Sequence, residues 1–193
     1  MHHPFRHVIR ADFERWLDGR PMTAGNSCSA VFRNQGLQAV LVYRFGRQLL
    51  QAKRRPWWWP LLLLGVPVYL LAAAVIRGCY GIHLFMSAQI GPGFSVQHFG
   101  GVEVANCRLG AGCTVGQQTQ VGSRATLEGP EVGDGVWIGG HAKVFGAVRV
   151  GDGATIAPGA RVMKTIPPRA FVVGDPGRVV FRGYDNTQIQ PKS

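Results

Sequence analysis

The sequence predicts a mainly β chain, a parallel β-helix built from hexapeptide repeats and preceded by a helical, apolar and basic region. The first observation is an aliphatic residue that returns every six positions through the second half of the chain. Six residues hold one short strand and one tight corner, so three repeats close a coil and stacked coils bury the aliphatic column. These anchor residues are Leu84, Ile90, Val96, Val102, Leu109, Val115, Val121, Leu127, Val132, Ile138, Val144, Val150, Ile156 and Val162.

Two slips interrupt the period of six. One extra residue separates Val102 from Leu109, and one residue is missing between Leu127 and Val132. Glycine often follows an anchor, as expected for corners that exclude a Cβ. Neither an amphipathic helix nor a hairpin strand explains this period, because those elements repeat near 3.6 and 2 residues.

The charge of the chain is concentrated in its first part. The net charge is +11 over 193 residues, and residues 1–83 contribute +8 of it, from eleven basic and three acidic side chains. Such a balance suits nucleic acid, an anionic membrane surface or phosphate-bearing ligands. Because the sequence has no zinc-finger, helix-turn-helix or basic-aromatic RNA motif, we expect no nucleic-acid partner.

The four cysteines form no CxxC pair and no evenly spaced framework, and we interpret them as buried core thiols. That interpretation fits a reducing cytoplasm, where disulfides are rare. The first residues contain no apolar stretch followed by a cleavage site, so a cleavable secretory signal is not expected. The cysteines are Cys28, Cys79, Cys107 and Cys113.

Before the repeats, apolar residues at helical spacing predict a short amphipathic helix over residues 4–20 and a second helix over 30–51. The small and polar residues 22–30 predict a loop between them, and the basic run before Pro56 ends the second helix. We therefore expect three parts: a helical region over 1–80, the β-helix over 81–166, and a C-terminal loop and tail over 167–193. We expect residues 183–193 to be disordered.

Residues 57–76 form an uncharged, tryptophan-led stretch between Lys53-Arg54-Arg55 and Arg77. Its length is near that of a membrane span, and tryptophans beside basic residues are typical interfacial anchors. Two prolines and basic residues at both ends argue against a span. Three structures remain open: a helix in the interface or one leaflet, a full span, and an apolar helix packed in an oligomer.

Histidines are the side chains of the repeat region that could carry chemistry. His83, His98 and His141 lie among aliphatic repeats, where an imidazole has no structural use, although a solvated surface histidine remains open. His98 precedes two glycines and the first slip. Counting anchors places Ser123, Gly140 and Pro158 along one edge of the stack, and His98 at a different corner.

Residues 81–180 resemble the serine acetyltransferase-like branch of the left-handed β-helix acyltransferases, and more closely its shorter members linked to bacterial polysaccharide biosynthesis. The matching segments are residues 98–102 (HFGGV), 129–139 (GPEVGDGVWIG), 142–146 (AKVFG) and 173–179 (VGDPGRV), together with 31–37 and 43–46. The resemblance implies left-handed coils, acetyl-CoA as acyl donor and no metal.

By the same resemblance, His98 is the general base that takes the proton of the acceptor hydroxyl, a role that suits an imidazole at neutral pH. Gly100 and Gly101 are candidates for binding the oxyanion through their backbone N–H groups. Two departures stand out: serine-specific members have a carboxylate at His83 and a second histidine in the stretch matching 128–130, here Gly129. His83 becomes a candidate partner of His98 or a second basic group.

The resemblance also implies that the edge with Ser123, Gly140 and Pro158 accepts the pantetheine arm, with His141 either touching the arm or simply exposed. Four cations are candidates for the CoA phosphates. With His98 expected at another corner, one subunit hardly supplies the whole site, and a homotrimer follows. The cations are Lys143, Arg161, Lys164 and Arg178.

These observations lead us to expect an O-acetyltransferase that acetylates a hydroxyl of a sugar or glycan precursor in polysaccharide biosynthesis. Two alternatives stay open: a serine O-acetyltransferase and a non-catalytic β-helix scaffold. We expect the enzyme in the cytoplasm, at the inner face of the membrane, with contact through residues 1–77. The acceptor, the acyl chain length and the depth of insertion are not determined by the sequence.

Overall fold

Four helices and fifteen short strands follow one another in a computed structural model that describes residues 4–17, 19–52, 59–97, 100–123, 125, 128–186 and 189. The helices are α1 (Phe5–Leu17), α2 (Ala24–Arg33), α3 (Gln35–Ala52) and α4 (Trp59–Tyr80). His98, the predicted base, and Phe99 lie outside the described residues, as do residues 53–58 of the basic and tryptophan-rich run.

The predicted loop over 22–30 is wrong, because α2 occupies most of it. The Thr23 side chain accepts a hydrogen bond from the Asn26 N–H and so caps the helix start. Small side chains are compatible with a helix once it is capped and packed, and Ala30 is buried in a cluster with Leu17 and Leu37. Asn34 then separates α2 from α3 with extended backbone.

The strands stack into three parallel sheets, which we call A, B and C. Sheet A has the order β1-β4-β7-β10-β13, sheet B the order β11-β8-β5-β2, and sheet C the order β15-β14-β12-β9-β6-β3. Chain order therefore visits A, B and C in turn, as a three-sided solenoid requires. The strands are β1 (Ile82–Leu84), β2 (Gln89–Ile90), β3 (Ser95–Val96), β4 (Val102–Val104), β5 (Arg108–Leu109), β6 (Thr114–Val115), β7 (Gln120–Val121), β8 (Glu131–Val132), β9 (Trp137–Ile138), β10 (Lys143–Val144), β11 (Arg149–Val150), β12 (Thr155–Ile156), β13 (Arg161–Val162), β14 (Phe171–Val173) and β15 (Arg178–Phe181).

The first slip lies earlier than the spacing indicated. In sheet A, Leu84 pairs with Val104, and Val104 pairs with Val121, so Val104 rather than Val102 is the second-coil anchor. The run from Val96 to Val104 is thus longer than one repeat, and the next step to Leu109 is shorter. The extra residues fall in the connection between β3 and β4.

The second slip is a single long corner between sheets A and B. Val132 pairs with Leu109 in sheet B, directly after Val121 of sheet A in the coil. Residues 122–130 therefore connect two adjacent sides and do not include a separate side anchored by Leu127, which lies outside the described residues. Every side counted after Val121 shifts by one as a result.

Parallel pairing continues beyond Met163, where the repeat pattern stops. Ile166 forms a bridge with Val150, and β14 pairs with β12 in sheet C. The chain then reverses, and β15 pairs with β14 in antiparallel orientation. The stack therefore has a further rung that lacks the hexapeptide signature.

The helical region is fixed to the first coil by a buried ion pair. Arg44 of α3 donates to both carboxylate oxygens of Asp12 in α1 at 2.8 and 3.2 Å, and Asp12 has no solvent exposure. Asp12 also accepts from the backbone N–H groups of Gly93 and Phe94 in the corner before β3. Burial raises the pKa of Asp12, and the bonds from Arg44 and the two N–H groups oppose that rise.

Two of the four cysteines match the expectation of buried thiols. Cys107 and Cys113 are buried in the coil, and burial raises the pKa of each thiol to about 12, which makes them poor nucleophiles. Cys28 and Cys79 lie on helices and are exposed, so the interpretation as core thiols is wrong for them.

Candidate active site

The corner between sheets C and A holds three of the candidate site residues, Gly140, His141 and Pro158. The segment between β3 and β4, which contains His98, runs from sheet C to sheet A. On the described side of that segment, Gly100 and Gly101 have φ values of 100° and 67°, in the region that favours glycine. The Gly100 N–H donates to the Tyr80 carbonyl at 2.8 Å, so it is engaged in the fold and is a poor oxyanion donor.

The same corner recurs on the following coils. Gln118, His141 and Gly159 hold equivalent positions with φ of 52°, 62° and 74°. Backbone hydrogen bonds link the rungs: Gln118 N–H to the Gly100 carbonyl at 2.7 Å, and Gly159 N–H to the Gly140 carbonyl at 2.9 Å. Gly140, His141 and Pro158 therefore line one edge, and His141 and Pro158 are exposed.

Ser123 does not lie on this edge. It follows β7 of sheet A and stands at the corner toward sheet B, where its carbonyl accepts from the Asn106 side-chain amide at 2.9 Å. The prediction that Ser123 stacks with Gly140 and Pro158 is wrong, because Leu127 was counted as the anchor of a separate side.

The prediction that His98 sits at another corner than Gly140 and Pro158 stays a prediction, because His98 lies outside the described residues. Gln97 and Gly100, the described residues on either side of it, belong to a connection between sheets C and A. Gly140 and Pro158 belong to later connections between the same two sheets.

A polar column runs along the outer face of sheet A, next to this corner. In register, His83 neighbours Glu103, Glu103 neighbours Gln120, and Gln120 neighbours Lys143, which neighbours Arg161. Two candidate phosphate-binding cations are therefore adjacent, and both are exposed. Lys164 follows β13 at the corner toward sheet B, apart from them, and Arg178 lies on β15.

His83 stands at the other end of this column. Its ring meets Phe85 edge-on with centroids 6.0 Å apart, and it borders a cavity of ≈ 210 Å³ between α3, α4 and β1. The repeat spacing did not predict that the Glu103 carboxylate lies next to His83 on the neighbouring rung. The alternation Val102-Glu103-Val104 could have indicated it, because Glu103 points outward between two buried valines.

The comparisons with known proteins give one consistent result. A serine acetyltransferase from Bacillus pumilus is 30% identical over 92% of this chain and 78% of the relative. Soybean serine acetyltransferase in complex with serine has a TM-score of 0.72 and 25% identity, and this chain covers 69% of that structure. The chain belongs to the serine acetyltransferase family.

This membership confirms the predicted hexapeptide-repeat, left-handed β-helix and the assignment as an O-acetyltransferase. A serine acetyltransferase from Brucella abortus, solved in complex with coenzyme A, shares the fold with a TM-score of 0.72 at 21% identity over 91% of this chain and 67% of that structure. No family model matches the chain.

The predicted acceptor is wrong. The relatives at 27–31% identity over most of the chain are serine acetyltransferases, which overturns acetylation of a sugar or glycan precursor in favour of the serine alternative. The finer resemblance to shorter members of polysaccharide biosynthesis has no support among these relatives.

The resemblance places a histidine of serine-specific members in the stretch that holds Gly129. A Cβ built on Gly129 would overlap the Asn106 carbonyl oxygen, so the histidine of the motif cannot be placed there without moving the backbone. Asn106 is itself in the left-handed region, with φ of 45°. The corner therefore accepts a side chain at position 129 only if its backbone shifts.

Among the described residues, no group of three or more His, Cys, Asp or Glu side chains is arranged to hold a metal ion. The described residues of the site offer imidazoles, a carboxylate, cations and exposed backbone. Those groups suit proton transfer and the binding of an anionic thioester.

Proposed function

We propose that this protein transfers the acetyl group of acetyl-CoA to the side-chain hydroxyl of L-serine. The observation that carries the proposal is the 30% identity to the Bacillus pumilus serine acetyltransferase over 92% of this chain and 78% of that enzyme. Acetyl-CoA as the donor is confirmed by the shared activity of the family and agrees with the coenzyme A complex of the Brucella abortus relative.

The reaction needs a base, because a hydroxyl is a weak nucleophile at neutral pH. The serine oxygen attacks the thioester carbonyl carbon, the new C–O bond forms as the C–S bond breaks, and the hydroxyl proton passes to the base. The same proton then reaches the departing CoA thiolate. We assign the base to His98, since an imidazole titrates near neutral pH and lies in the matching HFGGV segment.

We place the donor at the edge between sheets C and A. Gly140 has no side chain and Pro158 is exposed there, which leaves room for the pantetheine arm, and the exposed His141 stands beside them. Lys143 and Arg161, adjacent on sheet A, supply two positive charges for the CoA phosphates. Ser123 and Lys164 stand at the corner toward sheet B and are left out of the proposed donor site.

Thiol release from acetyl-CoA tests the proposal directly. We expect turnover with L-serine well above that with free sugars or without acceptor, and a loss of about 10²–10⁴-fold in His98→Ala. His7→Ala removes an imidazole outside the coil and serves as the matched control. No serine-dependent thiol release by the wild type would contradict the acceptor, and unchanged turnover in His98→Ala would contradict the base.

We also keep the homotrimer, the cytoplasmic location and contact with the membrane as proposals. The trimer rests on the family resemblance. Light scattering of the purified protein should give the mass of three chains of 21.0 kDa. A monomeric mass with full activity would remove the trimer.

A further inference from the structure

Helix α4 has one face covered by protein. Gly65 lies against Leu49 of α3, Tyr69 lies against Gly46, and Ile76 is buried at 7% exposure. These positions are four and seven residues apart, which is about one and two helical turns, and they therefore form a single stripe along the helix. That stripe fixes α4 lengthwise on α3.

The remaining surface of α4 is apolar and open. Leu63, Leu64 and Leu71 are 77%, 73% and 70% exposed, and only 6% of the stretch Leu62–Tyr80 is buried inside the protein. At about 100° per residue, these three side chains together with Val66, Val68, Leu70 and Val75 spread over roughly half of the helix circumference. Such a surface exceeds the scattered apolar residues of ordinary protein exteriors.

The charge pattern around α4 selects the kind of partner. From Trp59 to Tyr80 the sequence has one charged residue, Arg77, near the C-terminal end, and Lys53-Arg54-Arg55 precede the N-terminal end. An apolar stretch with cations at both ends matches the surface of one leaflet, where apolar side chains enter the hydrocarbon and the cations meet anionic headgroups. A second copy of the chain would cover one side of α4 and leave much of this broad face exposed.

The packing of α3 argues that α4 lies in the plane of the membrane and does not span it. α3 lies between α4 and the first coil: the Tyr43 hydroxyl donates to the Ala88 carbonyl at 2.7 Å, and Arg47 donates to the Met86 carbonyl at 3.0 Å. A membrane-spanning α4 would pull α3, with Arg47 and Gln48, and the polar coil surface into the hydrocarbon. Polar backbone and charged groups are excluded from that region.

We propose that α4 is an in-plane membrane helix, lying in one leaflet of an anionic phospholipid bilayer with its stripe toward α3 and the coil in water. The helix is about 33 Å long, and helices of this kind sit roughly 5–10 Å into the headgroup boundary. This deepens the proposed membrane contact and does not depend on the acetyl-transfer activity.

Cosedimentation of the full chain with vesicles of phosphatidylcholine and phosphatidylglycerol in a 3:1 ratio tests the lipid contact. We expect the wild type to bind these vesicles at least 10-fold more than pure phosphatidylcholine vesicles. The variant Leu64→Glu/Leu71→Glu/Val75→Glu should lose at least 10-fold of the binding. A control with the same charge change on exposed apolar positions at the coil end should still bind: Met163→Glu/Val179→Glu/Val180→Glu.

Either of two results would overturn the lipid assignment. The first is the absence of vesicle binding that depends on α4. In that case the wild type stays in the supernatant, or the α4 variant binds as well as the wild type while both proteins retain native circular dichroism. The second is self-association without lipid that the α4 variant abolishes, in the absence of vesicle binding, which would assign the face to a second copy.

Cysteine labelling separates the in-plane helix from a span. In a Cys28→Ser background, Cys79 reports the C-terminal end of α4, and Gln51→Cys with Cys79→Ser reports the other end; positions 51 and 79 are both exposed. With protein added to preformed vesicles, an impermeant maleimide should reach both ends. Protection of one end until detergent is added would establish a span and overturn the in-plane orientation.

Discussion

Gly129 occupies a corner that has no room for a side chain. A Cβ at this position would overlap the Asn106 carbonyl oxygen, and the Asn106 side chain is already bonded to the Ser123 carbonyl. We expect Gly129→Ala to lower the free energy of unfolding by about 2 kcal/mol or more, because the backbone of the corner must shift. Urea unfolding followed by circular dichroism measures the change.

Gly25→Ala is the matched control for Gly129. Gly25 lies in α2 with open space where a Cβ would stand, so alanine there should be neutral or stabilise by about 0.5–1 kcal/mol. Equal stability of Gly129→Ala and the wild type would show that the corner can relax.

The buried ion pair between Asp12 of α1 and Arg44 of α3, which we call the clamp, holds both helices against the first coil. Arg44→Ala leaves the Asp12 carboxylate buried without its cation, and Arg44 also donates to the Ile90 carbonyl at 2.6 Å. We expect a loss of about 3–5 kcal/mol in the free energy of unfolding. Serine-dependent turnover should fall too, because the clamped corner leads through β3 to the His98 segment.

Two further variants test the clamp. Arg10→Ala removes an arginine from an exposed pair with Glu14 and should cost only about 0.3–0.5 kcal/mol. The double variant Asp12→Ala/Arg44→Ala should be more stable than Arg44→Ala, since no unpaired buried charge remains. A double variant as unstable as the sum of the two single variants would show that the two residues act independently.

The elements differ in how far the sequence could predict them. The six-residue period predicted the coil, because each rung needs one buried aliphatic side chain, and helical spacing predicted α1 and α3. The helix α2 was missed since its stability comes from the Thr23 cap and burial of Ala30, which a pattern of small residues does not reveal.

The corners were less predictable than the rungs. Val102 and Val104 are both buried and both aliphatic, so spacing alone could not tell which one continues the column. Leu127 fits the six-residue spacing although β7 and β8 are joined by a single corner. Counting it as the anchor of a separate side placed Ser123 on the wrong edge of the stack. Corners are set by backbone hydrogen bonds between coils, such as Gln118 N–H to the Gly100 carbonyl, and these bonds leave no periodic signal.

The whole molecule is a stack whose two ends must be closed. Helix α3 covers the first coil, and β15 closes sheet C at the last coil by antiparallel pairing with β14. The pairing is irregular between Phe171 and Val172, and an irregular, twisted edge resists addition of further strands. We infer that β15 protects the regular β14 from pairing with another molecule.

Replacing Val179 and Val180 by proline tests this protection. Proline has no N–H and cannot pair with β14, so Val179→Pro/Val180→Pro should expose the β14 edge and cause concentration-dependent association, seen as rising light scattering. The control Val179→Thr/Val180→Thr keeps both N–H groups and should scatter like the wild type. If the proline variant keeps the wild-type mass at every concentration, the last coil does not need β15, because the stack then tolerates an open edge.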